Sequence, residues 1–155
     1  MNLTELLTEP HTLCHAEAFS KKRALELASE TFAGQPGVPT TDRIFSGLLN
    51  RERLGSTGIG DGVAIPHCRL PDCKQAVALL MTLAEPIDFD AIDNRPVDLL
   101  CFLLVPEDGA EEHLQTLAGL AELFSQESVR ESLRGCKQSR QLYDTAVNLA
   151  GQQAS

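Results

Sequence analysis

Two short apolar runs, AVALLMTLA at 76–84 and VDLLCFLLV at 97–105, constrain the fold more than any other feature of the chain. Neither alternates polar with apolar residues, so neither can leave one face in water. Runs of this length suit strands covered on both sides. The segment between them, EPIDFDAIDNRP, is polar and broken by prolines and reads as a loop. The remaining chain supplies the cover. Ser20 can cap a helix over 20–33 whose inner face is Ala24, Leu25, Ala28 and Phe32, with Gly34 at its end. Thr40 or Thr41 can cap a second helix to about Leu54, with Ile44, Phe45, Leu48 and Leu49 inward. A glycine loop, Gly55 to Gly62, then leads into a short strand, Val63 to Ile65. Helices follow at 110–124 (Leu114, Leu117, Ala118, Ala121 and Phe124 inward), at 126–134, and from a Ser139 cap to about Ala150 (Leu142, Tyr143, Ala146 and Val147 inward). The sum is one α/β domain whose sheet is flanked by helices. Sheet order is not legible from these patterns.

Composition narrows the function. The 155 residues, 43% hydrophobic and 23% charged, are enough for one domain with a real core. The 22 acidic against 13 basic residues leave a net charge of −9, a surface that phosphate backbones and anionic lipids repel. The start, MNLTELLTEPH, lacks a basic region and an apolar core of signal-peptide type. No stretch free of Asp, Glu, Lys and Arg exceeds 11 residues, whereas a membrane span needs about 20 apolar residues. The five cysteines (Cys14, Cys68, Cys73, Cys101, Cys136) form no CxxC pair and read as reduced thiols of a cytoplasmic protein. A metal site at His67, Cys68 and Cys73 would lack a second tight ligand pair, so no metal is expected.

Ser56 to Arg69 reads STGIGDGVAIPHCR. Gly58, Gly60 and Gly62 give G-x-G-x-G after a helix and before a strand, the reverse of a dinucleotide-binding loop, and no Lys-Ser/Thr closes a P-loop. Taken alone these glycines make a tight connection. His67 adds chemistry. Pro66 ends the strand, which would leave the imidazole at a rim beside unpaired loop amides, an anion nest. A neutral imidazole beside such a nest can attack a phosphoryl group. The plainer alternative is a polar strand-end histidine. Cys68 makes a poor partner for His67 in a hydrolase, because adjacent strand residues point to opposite faces. Arg51 closes the helix before the loop and can grip phosphate bidentately, although alone it reads as a solvated helix-end residue. His113 lies in the first turn of its helix, where anions are favoured, and is equally readable as a surface histidine. His11 and His15 have no such context and are expected at the surface.

The stretch LLNRERLGSTGIGDGVAIPH resembles the phosphorylation-site region of enzyme IIA proteins of the bacterial phosphoenolpyruvate-dependent phosphotransferase system, of the fructose/mannitol class that includes the nitrogen-regulatory type. The helix EEHLQTLAGLA falls where that family carries a second histidine. The resemblance spans nearly the whole chain and implies a single 1–155 phosphoryl-carrier domain, a mixed sheet with helices on both faces. It implies phosphorylation of His67 at Nε2, Arg51 as the charge stabiliser, His113 as a hydrogen-bond donor, and Ser56, Thr57, Gly58, Gly60 and Gly62 as the phosphate loop. The donor it implies is the phosphohistidine of the small phosphocarrier protein, and no cofactor is required. Asp61 puts a negative charge in the loop and Cys68 follows the histidine where a small residue is usual; the first would weaken phosphate binding.

The absence of a second domain favours the nitrogen-regulatory branch, in which phosphorylation state signals to regulatory target proteins. The alternative within the class is a sugar-transport IIA subunit that passes phosphate to a IIB domain. The alternative outside it is a binding regulator whose His67 never turns over. All three are expected in the cytoplasm, away from nucleic acid and not inserted in a membrane.

Overall fold

The computed structural model describes residues 2–153. The two apolar runs form its centre: β5 (Val77–Ile87) and β6 (Val97–Pro106) pair antiparallel, with Leu79 opposite Phe102 and Leu80 opposite Cys101. β1 (Thr12–Ala16) lies parallel along the free edge of β5. Along the other edge of β6 run β3 (Val63–Ala64) and β4 (His67–Leu70), both parallel to it. β2 (Gly58–Gly60) folds back antiparallel onto β3. The sheet is therefore mixed, with six strands among the described residues.

Helices cover both faces, because side chains alternate along the strands. On one face Leu100, Phe102 and Leu104 of β6 pack with Leu79 and Met81 against α2 (Lys21–Phe32) and α3 (Thr41–Arg53). On the other, Leu99, Cys101, Leu103 and Val105 meet α1 (Leu3–Leu6), α4 (Ala110–Phe124), α5 (Glu127–Arg134) and α6 (Ser139–Gln153). Among the described residues no helix is long and apolar enough to cross a membrane.

Several expectations need correction. The short strand expected at Val63 to Ile65 is present as β3, but a further strand, β4, follows it and contains His67. Val63 faces Leu99 and His67 faces Leu103, so β3 and β4 keep one register along β6. Pro66 only interrupts the strand: it has no N–H to give, yet its carbonyl still accepts from Leu103 at 2.9 Å. β5 runs on through Glu85 and Pro86 to Ile87, inside the stretch read as loop. In α4 the buried residues are Thr116, Leu120, Leu123 and Phe124, while Leu114 is 66% exposed and Ala118 is also exposed. Ser139 is the first residue of α6 rather than its cap; its Oγ accepts from the Cys14 amide at 3.2 Å. His15 is exposed as expected, but His11 is buried, its ring edge-on to Phe32.

Candidate functional site

The interrupted strand sets the site. Alternation sends Cys68 and Leu70 into the α2–α3 core, where they crowd Gly47 of α3; a Cβ there would stand 3.0 Å from the Cys68 sulfur. His67 and Arg69 point the other way, toward α4. Cys68 thus serves packing, and burial pushes its thiol up to about 12.

His67 Nδ1 lies 2.7 Å from the carbonyl of Ile65. A carbonyl only accepts, so Nδ1 carries the hydrogen, and the neutral ring keeps its lone pair on Nε2. Burial lowers the His67 pKa below the usual histidine value. The Ile65 bond opposes that shift, the Arg51 guanidinium adds to it, and the Glu52 carboxylate opposes it. The ring is therefore a neutral, oriented base at pH 7.

Two clefts meet at His67 and Arg51. One, of about 280 Å³, also has Arg69 and His113 in its wall, together with Leu114 and Leu117 of α4. The other, of about 220 Å³, is completed by Ser56, Thr57, Ile59 and Ile65. Of the α4 face that periodicity assigned to the core, Phe124 is buried and Leu117 and Ala121 pack against the core, while Leu114 and the outer side of Leu117 form the apolar wall of the site. Arg51 is steadied by donating to the Gly55 carbonyl at 2.9 Å and pairs with no carboxylate among the described residues. His113 packs over Gly109, which opens α4 in a left-handed conformation (φ 78°) that glycine adopts freely. Its buried Nδ1 has no hydrogen-bond partner among the described residues.

Three amides of the glycine loop and the strand after it are already engaged within the protein. The Thr57 amide donates to Glu52 Oε1 at 3.1 Å, the Gly58 amide to Ser56 Oγ at 3.0 Å, and the Ile65 amide to the Thr57 carbonyl at 3.0 Å. Gly58 is needed for packing, since a Cβ would sit 2.8 Å from Ala91 Cβ and 2.9 Å from its Cα. Gly60 and Gly62 line neither cleft; Gly60 lies by Asp93, and Gly62 (φ 80°) by Arg134 and Asp98. Ser56 and Thr57 do reach the second cleft, but their hydroxyls are bound to the Phe89 carbonyl and to Glu52. Glu52 is itself buried and pairs with Lys21 at 3.0 Å, so α2, α3 and the loop are tied together beneath Arg51. Asp61 faces away from His67, bonded through its carbonyl to Arg134 and paired with Arg95 and Arg130. Its charge therefore lies outside both clefts.

Arg69 was missed in the sequence, although a period of two counted on from His67 would have found it once β4 was recognised as strand.

A neutral, oriented imidazole shares its cleft with two arginines, on a mixed sheet with helices on both faces, an arrangement chemically able to take up a phosphoryl group. The chain belongs to the EIIA type 2 family of the phosphoenolpyruvate-dependent sugar phosphotransferase system, whose model matches residues 5–147, and within it to the nitrogen-regulatory type. It is 41% identical over 149 residues to a nitrogen regulatory protein of Pseudomonas aeruginosa, covering 96% of this chain and 97% of that one. It is also 41% identical to a nitrogen regulatory protein of Escherichia coli, with 97% and 93% covered. The crystal structure of nitrogen regulatory protein IIA-Ntr from Neisseria meningitidis superposes with a TM-score of 0.87 at 40% identity, over 93% of this chain and 98% of that one.

Proposed function

We propose that the protein is a phosphoryl carrier, a protein-histidine phosphotransferase component. His67 Nε2 accepts the phosphoryl group from the phosphohistidine of a small phosphocarrier protein. The phosphorylated and free forms then differ in the regulatory target proteins they engage in the cytoplasm. The observation that carries this reading is the 2.7 Å contact between His67 Nδ1 and the Ile65 carbonyl. It leaves Nε2 as an unprotonated nucleophile in a cleft with Arg51.

The step balances without a proton acceptor. The Nε2 lone pair forms a bond to phosphorus as the P–N bond of the donor breaks, and the donor imidazole leaves with that electron pair. Positive charge develops on the His67 ring, where Nδ1–H keeps its hydrogen and its bond to Ile65 strengthens. Charge on the three equatorial phosphoryl oxygens is met by the Arg51 guanidinium and by a ring N–H of His113.

The test is direct. After incubation with phosphoenolpyruvate, the first enzyme of the system and the phosphocarrier, the intact mass is expected to rise by one phosphoryl group. The adduct should be acid-labile and base-stable, as a phosphoramidate is. The variant His67→Ala should fold and take up nothing, since a half-buried rim side chain contributes little to the core. An acid-stable adduct, or full labelling of His67→Ala, would overturn the assignment.

A further inference from the structure

The chain has nine arginines, and six of them pair with carboxylates: Arg23, Arg43, Arg95, Arg130, Arg134 and Arg140. The other three are Arg51, which donates to the Gly55 carbonyl, Arg53, which donates to Asn50 at 3.4 Å, and Arg69, which has no partner among the described residues. In a molecule of net charge −9 an unpaired guanidinium is a charge left available. Two of these three line the cleft of His67. Arg69 is solvent-exposed, two residues along β4 from His67 and on the same side of the sheet. Two strand residues advance about 6.6 Å, which an extended arginine side chain can span.

We propose that Arg69 is a second cationic ligand of the phosphoryl group carried on His67, acting with Arg51. The inference rests on the carrier reading of His67. The charge balance supports it. A phosphoryl group brings close to two negative charges at pH 7. Arg51 brings one positive charge, and one of its N–H groups is already committed to Gly55. The remaining negative charge would sit in a cleft whose other wall is the apolar Leu103, Val105, Leu114 and Leu117. Arg69 is the cation present to meet it. The planar guanidinium fork can hold two phosphoryl oxygens in a fixed bidentate geometry, which the rotatable point charge of a lysine does not reproduce.

The experiment equilibrates parent, Arg69→Gln, Arg69→Lys and Arg69→Glu with the phosphocarrier at a fixed donor ratio. It reads the phosphorylated fraction by intact mass and titrates the phosphoryl group by ³¹P NMR. Arg69→Gln should lower the phosphorylated-to-free ratio by roughly 3- to 10-fold, discounted for exposure of the pair. It should also move the ³¹P titration midpoint upward, because a neighbouring cation favours the dianion. Arg69→Lys should fall between, Arg69→Glu below, and Arg53→Ala should match the parent. If the parent takes no phosphoryl group, the carrier reading falls and this one with it. If the parent is labelled and Arg69→Gln has the parent ratio and midpoint, this inference alone is overturned. It is likewise overturned if Arg69→Gln changes only the rate of transfer from the phosphocarrier, because Arg69 would then serve docking.

Discussion

At the scale of single residues, the protonation of His67 is the quantity to measure. Its pKa is lowered by burial, with Arg51 adding to the shift and Glu52 opposing it. In an NMR titration its midpoint should lie below the ordinary histidine value of about 6.5. Arg51→Ala should raise that midpoint, because it removes a like charge from beside the imidazolium. Glu52→Gln should lower it further while keeping the shape that holds Thr57. A midpoint that ignores both substitutions would mean the charges lie too far away to act on the ring. Arg51→Lys keeps the charge but loses the fork, so acceptance of phosphate should slow clearly, and Arg51→Ala should be slower still. Parent-like rates in both would return Arg51 to the role of a helix-end residue. His67 and Arg51 could be singled out in the sequence because their residue types carry chemistry, whereas Glu52 gave no such signal. The hydrogen-bonding state of the loop was not legible. Nothing in STGIGDG says that Glu52, buried beneath it, already takes the amide of Thr57.

At the scale of elements, legibility followed length and pattern. The two apolar runs and the helices α2 and α3 fell where their periods put them. The four-residue α1 and five-residue β1 are too short to show a period and were missed. β4 was missed because Pro66 was read as an end, whereas the β3–β4 register continues across it. The α4 stripe reaches the core through Phe124, Leu117 and Ala121, but Leu114 was also read as inward because an apolar stripe does not say where the core ends, and it lines a cleft. The glycines separate by element too. Gly58→Ala in β2 pushes a methyl group into the backbone of Ala91 and should cost about 1–3 kcal/mol. Gly119→Ala in α4 meets nothing within 4 Å and should stabilise by about 0.5–1 kcal/mol. Urea unfolding midpoints of the two variants should therefore move in opposite directions. If Gly58→Ala is neutral, β2 is free to shift away from Ala91 and does not fix the second cleft.

At the scale of the whole molecule, the same burial that prepares His67 makes the fold sensitive to mild acid. Two histidines have lowered pKa values in the folded chain. His67 is lowered chiefly by desolvation, and His11, in the turn before β1 with its ring edge-on to Phe32 of α2, by desolvation alone. In the unfolded chain both return to about 6.5. Just below that pH the unfolded state binds more protons than the folded one, so stability rises with pH across this window and is lost as pH falls through it. The exposed Asp93 is also lowered, by the amides of Asp61 and Arg95. Its contribution is lost only at lower pH, below the usual carboxylate value, so it does not overlap. Unfolding free energy measured by urea titration should therefore be level near pH 7.5–8 and decline from about 6.5 to 5. His67→Ala should leave the level part nearly unchanged and make the decline shallower. His11→Phe should do the same and also remove the Nδ1 that has no partner in its buried setting. A parent curve that stays flat from pH 6.5 to 5 would show that neither ring is held neutral by the fold, and the account of His67 as a pre-formed nucleophile would lose its electrostatic basis.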